Sequence, residues 1–546
     1  MKKVLIGNDA IIKAALVSGV SFVSGYPGCP AAEIGDDFAK IVKGPDGYSN
    51  VYVEWATNEK TGLESAIGAS FSGLKSLVSM KSFGINVCSD ALLPLAYTGT
   101  KAPMVIVIAD DPSCWSSAQT EQNSRGYAYL SHIPMLEPSD PQECYDFTKL
   151  AYEMSEKFNT PVILHTTTRV NHQKMPVVFE EIERGGQFKK GEFVKNHHQF
   201  STMPPRVMEM KKELLEKVKK IQAYAEKAKI NKITGNKKSK VGIIVSGVSY
   251  LHTMEALDMM DLDIPVLKLG FFYPLPKEKI AKFLSPLKKV LVVEELDGYL
   301  EREIAGLAGI EKIKVEIFGK DLLSEIGELD SEKIAVALAK ITGKKFTAGK
   351  VSKMDLPKRT ARLCEGCPYW YVFPVLKRVA PDAIFAGDIG CNMIAGLAPH
   401  NMQDTLFCMG ASLGISHGIK KSTNQKVISI MGDGTFFHSG MSSLVNSVYN
   451  GSNPLLVILD NRITAMTGHQ PNPGMGKTLM GDTTEELRIE EIAKACGVKN
   501  IKVLDPINMQ ELEGTVREFL SKDEPSLIVC KRICALLAKR QAKATK

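Results

Sequence analysis

The sequence predicts an α/β protein of two doubly wound parallel-sheet domains with a smaller α/β domain between them. Short, fully apolar runs alternate with helix-period segments along most of the chain, the rhythm of parallel strands joined by crossover helices. Composition turns lysine-rich and polar in one stretch, before residue 240. In the last third, polar clusters carrying glycine follow directly on apolar runs, which places them at strand C-termini.

Taken in order, residues 1–200 contain VLIG, SFVSGYPG, LKSLVSM, MVIVIAD and PVILHTTTR as strands, separated by helical segments such as EKTGLESAIGASFSGL. The opening MKKVLIGNDAIIKAALVSG reads as a strand entering a helix, because Asn8, Asp9 and Lys13 interrupt any signal-peptide core. Residues 201–240 read as a solvated lysine-rich linker with a helix over Val207–Lys229. Residues 241–345 hold VGIIVSGVSY, PVLKLGFFYPLP and VLVVEELDGYLE, enough for one small domain. Residues 346–546 carry AIFAGDIG, KVISIMGDGTFF, PLLVILDNR and SLIVCKR as buried strands.

Bulk properties narrow the class. A chain of 546 residues, 44% hydrophobic and 24% charged, suffices for several globular domains. Its net charge of +7 is small for that length, and the basic residues are not interleaved with aromatics, so nucleic acid is not an expected partner. The sequence lacks an uninterrupted apolar run of about 18 residues, so no membrane span is expected and the location expected is cytoplasmic. Eleven scattered cysteines do not make a secreted disulfide framework. Cys88, Cys114, Cys144, Cys408, Cys496 and Cys530 read by default as small buried side chains, with Cys29 set apart below.

Gly432-Asp433-Gly434 ends one strand and Asp460-Asn461-Arg462 ends the next, with 27 residues between Asp433 and Asn461. Glycines 432 and 434 allow close approach of backbone to a diphosphate. Asp433 and Asn461 offer hard oxygens to a small octahedral cation, which fits Mg2+. A strand, GDG, a helix and a strand ending in DN is the pattern of thiamine-diphosphate enzymes, in which the Ile463 carbonyl resembles the third protein ligand. Upstream, ARLCEGCPYW sets Cys364 and Cys367 two residues apart, Cys391 follows in GDIGCN, and Cys534 follows the last strand. Taken alone, the CxxC is compatible with a cluster, a zinc half-site or a redox pair.

The ordered motifs GYPGCPAAEI, VEWATNEKTGLESAIGAS, MKSFGINVCSD, ADDPSCWSS with EQNSR, MLEPSDPQE, PVILHTTTRVNH, CEGCP, GDIGC, CMGASLGISHG, GDGTFFHSGMSSLVNSVYN and LDNRITAMTGHQPNPG span almost the whole chain. In them the sequence resembles the large subunits of indolepyruvate ferredoxin oxidoreductases, within the 2-oxoacid:ferredoxin oxidoreductases. The resemblance implies a thiamine-diphosphate-binding fold: residues 1–200 bind the pyrimidine, 241–345 resemble the C-terminal domain of transketolase, and 346–546 bind the diphosphate. It implies that Glu59 hydrogen-bonds the aminopyrimidine ring, that Gly28 and Met409 contact the cofactor, and that Cys364, Cys367, Cys391 and Cys534 hold a 4Fe-4S cluster. The activity implied is oxidative decarboxylation of a 2-oxoacid, an aryl pyruvate such as indolepyruvate, to an acyl-CoA. Implied partners are a small subunit, a second large subunit, coenzyme A, and ferredoxin or a separate iron–sulfur subunit, since no CxxCxxCxxxCP run follows Cys534.

Two departures bear on substrate. Where the family shows a threonine and then serines after the YPG turn, this chain has Cys29, Ala31 and Ala32, and a thiol is a weaker hydrogen-bond partner than a hydroxyl. His165 stands where the family commonly has an arginine, as a titratable replacement or as a packed histidine. His438, His469 and Gln470 are further polar groups in loops expected near the site. Two alternatives stand beside this reading: a non-oxidative thiamine-diphosphate decarboxylase or carboligase, and a non-catalytic structural subunit.

Overall fold

The computed structural model describes residues 1–44, 47–182, 186–349 and 360–544. The chain falls into two compact units, Met1–Ser352 and Lys353–Lys546.

The first unit is built on a seven-stranded sheet ordered Phe271–Tyr273, Met135–Leu136, Val162–Thr167, Met104–Asp110, Ser76–Lys81, Phe22–Gly25 and Tyr52–Val53. All pairings are parallel except that of Phe271–Tyr273 with Met135–Leu136. Every residue of Ser76–Lys81 and of Met104–Asp110 is buried, as befits central parallel strands. Their register brings Gly25, Lys81, Asp110 and Thr167 to one edge. The first apolar run departs from expectation. Lys2–Ile6 does enter a helix, Gly7–Val17, but it pairs antiparallel with Lys174–Val178 as a separate ribbon outside the parallel sheet.

A second sheet in this unit is ordered Glu316–Phe318, Lys289–Val293, Val241–Ser246, Val266–Leu269 and Lys232–Thr234. It takes its last strand from the stretch read as a linker, and the 241–345 region in turn gives Phe271–Tyr273 to the larger sheet. The helix Arg206–Lys227 is also packed rather than solvated. Met210, Leu214, Ile221 and Ala225 are buried along one face, Lys217 donates to the Asn159 carbonyl at 2.8 Å, and Glu226 accepts the Glu278 and Lys279 amides. Residues 201–240 are therefore part of the unit's body. Apart from Lys217, its lysines lie mostly on the outer face of an amphipathic helix.

The second unit holds a five-stranded, wholly parallel sheet ordered Ile384–Ala386, Val427–Gly432, Leu455–Asp460, Ser526–Lys531 and Asn500–Leu504. Helices Tyr369–Val379 and Met509–Phe519 cover one face through Val372, Phe373, Leu512 and Val516. Helices Ala411–Ser422, Met441–Tyr449 and Ile489–Ala495 cover the other through Leu413, Leu444 and Ile489. This is the doubly wound arrangement the sequence predicts. Among the described residues no helix is long and apolar enough to cross a membrane.

Candidate active site at the sheet edges

In the second unit, parallel register delivers the polar motifs to one edge. Gly432 pairs with Leu459, so Asp433 and Asp460 leave neighbouring strands side by side, 3% and 4% exposed. Burial first, then the charge of Asp460, pushes the Asp433 carboxyl up to about 7. Burial raises Asp460 as well, against Arg462 and Lys531. Asn472 donates to Asp433 Oδ2 at 2.9 Å, and the Ile463 amide donates to Asn461 Oδ1 at 3.1 Å, folding the DNR turn back on itself. A Cβ on Gly434 would stand 2.9 Å from Thr464 Oγ1, so the cradle admits no side chain there. Two adjacent buried carboxylates, an amide oxygen and bare glycine backbone form a donor set that fits a hard divalent cation with a diphosphate.

The helix after GDG widens to a π turn over Phe436–Gly440 before continuing as Met441–Tyr449. His438 lies on that turn, buried, with Nδ1 2.6 Å from Ser439 Oγ. Asp388, which sequence reading did not single out, is fully buried and accepts the Gly410 and Ser412 amides at 2.8 and 3.0 Å. It thereby ties the GDIGC loop to the turn carrying half-buried Met409.

The four cysteines of the predicted cluster gather at this edge. Cys364 and Cys367 share a turn closed by the Cys367 amide on the Cys364 carbonyl at 3.1 Å. Tyr369, starting the next helix, donates to the Leu459 carbonyl at 3.1 Å and fixes that turn to the sheet. Cys391 opens the 3-10 turn Cys391–Gly396, and the Cys534 amide donates to the Asn461 carbonyl at 3.0 Å. Burial, then Cys367, Cys534 and Cys364, pushes the Cys391 thiol up to about 12. Burial, with Cys364 and Cys534, takes Cys367 to about 11. Cys364 and Cys534 thus lie close enough to act on both Cys367 and Cys391. Among the described residues no three His, Cys, Asp or Glu side chains close to the spacing of a single ion. A cubane seats each thiolate on a different iron and so fits a wider arrangement. His469 lies beside this group, at positive φ, with Nε2 3.7 Å from Cys534 Sγ and a buried Nδ1 that has no hydrogen-bond partner. Gln470 is buried and fastened to Thr467, closing the same loop.

In the first unit, Glu59 opens the helix Glu59–Phe71 and is 8% exposed, with Asn58 capping through Oδ1 on the Thr61 amide at 2.9 Å. Its place in the first turn suits a carboxylate. Cys29 is half-buried on the turn after Phe22–Gly25, and burial raises its thiol. Of the six cysteines read as buried, Cys88, Cys144 and Cys530 are so, whereas Cys114 and Cys496 are half-buried and Cys408 is exposed.

His165 is packed between two carboxylates. It is 5% exposed, with Nδ1 2.8 Å from Glu137 Oε1 and Nε2 2.8 Å from Asp110 Oδ2. Burial opposes its charge, but Asp110 and Glu137 outweigh that and hold the imidazole at about 9. Arg125 grips Glu137 through Nε at 2.6 Å and a terminal nitrogen at 3.0 Å, and the Ser246 hydroxyl also donates to it. These groups line a cavity of about 20 Å³ with Glu295, whose carboxyl burial pushes up to about 7.

A parallel sheet with GDG and DN on adjacent strand ends is the mark of a thiamine-diphosphate enzyme. Residues 388–530 match the family described as thiamine pyrophosphate enzyme, C-terminal TPP binding domain. Residues 13–236 match pyruvate flavodoxin/ferredoxin oxidoreductase, thiamine diphosphate-binding, and residues 231–363 match the indolepyruvate oxidoreductase domain. The indolepyruvate oxidoreductase subunit IorA of Methanothermobacter marburgensis is 41% identical over 97% of this chain and 87% of its own length. IorA of Pyrococcus horikoshii is 38% identical over 98% of this chain and 86% of its own length. The chain belongs to this family of indolepyruvate oxidoreductase subunits, which are 2-oxoacid:ferredoxin oxidoreductases. A solved 2-oxoglutarate:ferredoxin oxidoreductase from Magnetococcus marinus shares the fold, with a TM-score of 0.50 and 18% identity over 62% of this chain and 65% of that one.

Proposed function

We propose that this chain carries the thiamine-diphosphate centre of an aryl-pyruvate:ferredoxin oxidoreductase, with indolepyruvate the substrate type. What supports the reading is the convergence, on one sheet edge, of a buried carboxylate pair, the Asn461 turn and four neighbouring cysteines. Thiamine diphosphate, when bound, supplies the carbon nucleophile for the 2-oxoacid carbonyl and carries the electrons left after carbon dioxide departs.

The chain's own residues bind, orient and hold protons. Asp433, Asn461 and the Ile463 carbonyl would hold Mg2+ against the diphosphate, with Asn472 fixing the Asp433 rotamer. Gly432 and Gly434 leave room for the phosphates. Glu59 would hydrogen-bond the aminopyrimidine and favour the tautomer whose nitrogen takes a proton. Gly28 and Met409 would contact the cofactor, and Cys364, Cys367, Cys391 and Cys534 would hold a 4Fe-4S cluster that passes electrons singly to ferredoxin or a partner iron–sulfur subunit. Coenzyme A would take the acyl group, in an anaerobic cytoplasmic complex with a small subunit and a second large subunit.

The test is iron and acid-labile sulfide per chain on anaerobically purified protein, with electron paramagnetic resonance before and after thiamine diphosphate and indolepyruvate. About four irons and a signal that needs both additions are expected. Protein that binds thiamine diphosphate but holds no iron would instead be a non-oxidative decarboxylase or carboligase.

A further inference from the structure

Within the first unit, the turn that carries Cys29 rests on a buried ammonium. Lys81 ends the strand Ser76–Lys81 and is 8% exposed. A Cβ on Gly28 would stand 2.8 Å from Lys81 Cβ and 3.7 Å from its Cδ, so the YPG turn lies directly on the lysine stem. The ammonium donates to the Ser116 carbonyl at 2.8 Å, lies 3.5 Å from Ser116 Oγ, and is 3.7 Å from Asp111 Oδ2. That last spacing is an ion pair without a hydrogen bond.

Asp111 is already occupied. Its Oδ2 accepts the Ser117 hydroxyl at 2.6 Å and the Ser116 amide at 2.8 Å, and its Oδ1 accepts the Thr168 hydroxyl at 2.7 Å. An ammonium has three N–H donors, and here one short bond is joined by long contacts and by the Phe83 ring, whose centroid lies 5.3 Å away. Ser116 is exposed, so the head of Lys81 stands where the buried sheet edge meets solvent.

Glu59 borders the same place. Lys81 leads into the helix Ser82–Thr98, and three positions on, a Cβ at Gly84 would meet Glu59 Cγ at 2.6 Å and Oε1 at 3.0 Å. One helical turn therefore separates the proposed cofactor-activating carboxylate from a buried cation, with the Cys29 turn alongside. A substrate whose carbonyl reacts next to its own carboxylate needs one positive group close to the reaction centre. The thiol of Cys29 is a poor hydrogen-bond partner for that carboxylate, whereas an ammonium meets it with charge-assisted bonds.

We infer that Lys81 is the carboxylate receptor for the 2-oxoacid, and so the residue that selects acids over neutral carbonyl compounds. The inference rests on the proposed function and assigns the substrate site within it. Because the carboxylate leaves as neutral carbon dioxide, its pairing with Lys81 stabilises bound substrate more than the decarboxylation transition state.

The experiment uses the assembled complex of this chain with its small subunit, loaded with thiamine diphosphate, as wild type, Lys81→Met and Lys81→Arg. Binding of 3-indolepropionate and of its neutral amide is measured by calorimetry, and indolepyruvate turnover by acceptor reduction. Wild type is expected to favour the acid by about ten- to a hundredfold. Lys81→Met should lose that preference and raise KM by a similar factor with kcat unchanged or slightly higher, while Lys81→Arg keeps the preference and a KM near wild type. Unchanged thiamine diphosphate affinity and melting temperature show that the variants are folded. A folded Lys81→Met complex that keeps the acid preference and the wild-type KM overturns the assignment and leaves the proposed function standing. A loaded wild-type complex that neither binds the acid nor turns over any 2-oxoacid overturns both.

Discussion

Replacing His165 with glutamine would expose how much the first unit depends on one doubly paired imidazolium. Both ring nitrogens are 2.8 Å from a buried carboxylate, and the imidazole is held at about 9 against an ordinary 6.5. That difference corresponds to about 3 kcal/mol of stability at a pH below the ordinary value. Leaving Asp110 and Glu137 without their shared cation adds to the loss, so destabilisation of about 3–5 kcal/mol is expected, on the order of 5–10 °C in melting temperature. The sign with pH is definite. A raised folded value gives stability that is complete below the unfolded value and is lost as pH climbs through the folded one, so the wild type should lose this increment between about pH 6.5 and 9. Melting curves of wild type and His165→Gln at pH 6.5, 7.5 and 9.5 measure it, and their difference should shrink toward alkaline pH. A variant that melts with wild type at pH 6.5, or a difference that does not change across the series, would refute the reasoning.

Other expectations follow from the site. Asp433→Asn removes the central hard oxygen and should weaken Mg2+-dependent thiamine diphosphate binding at least about tenfold by fluorescence titration, since metal ligands of this kind carry the affinity. Gly84→Ala sets a methyl 2.6 Å from Glu59 Cγ; turnover should fall while diphosphate affinity holds. Cys391→Ser and Cys534→Ser should each lower iron and sulfide per chain, with melting of the protein little changed. His469→Phe takes away the group 3.7 Å from Cys534 Sγ; iron content should persist while the midpoint potential, followed by redox titration, moves lower as a donor near sulfur is lost.

The sequence made Asp433 and Asn461 readable because each abuts an apolar run, and a parallel strand must release its next residues at the ligand-binding edge; the cysteines were readable only through the resemblance. What it concealed depends on contacts between distant segments. Asp388 is an ordinary acid in GDIG until Gly410 and Ser412 present their amides to it. His165 stands in a run of polar residues and becomes an ion-pair centre only through Glu137, 28 positions away in sequence. The helix Arg206–Lys227 misled by density of charge: its buried stripe of Met210, Leu214, Ile221 and Ala225 is four residues among lysines and glutamates. The strand Lys232–Thr234 is exposed at all three positions and has Ile233 as its one apolar residue, so little in the sequence signals its place in the second sheet.

The hydrogen bond from the Cys534 amide to the Asn461 carbonyl, with the one from Arg532 to Asp460 beside it, continues the pairing of two strands beyond the sheet. The loop bearing Cys534 and the loop bearing Asn461 thus share a seam. Ordering one orders the other, and by linkage the help is mutual: whatever settles the diphosphate loop lowers the entropic cost of seating sulfur ligands, and the converse holds equally. On the proposed function, loss of either group should loosen the hold on the one that remains.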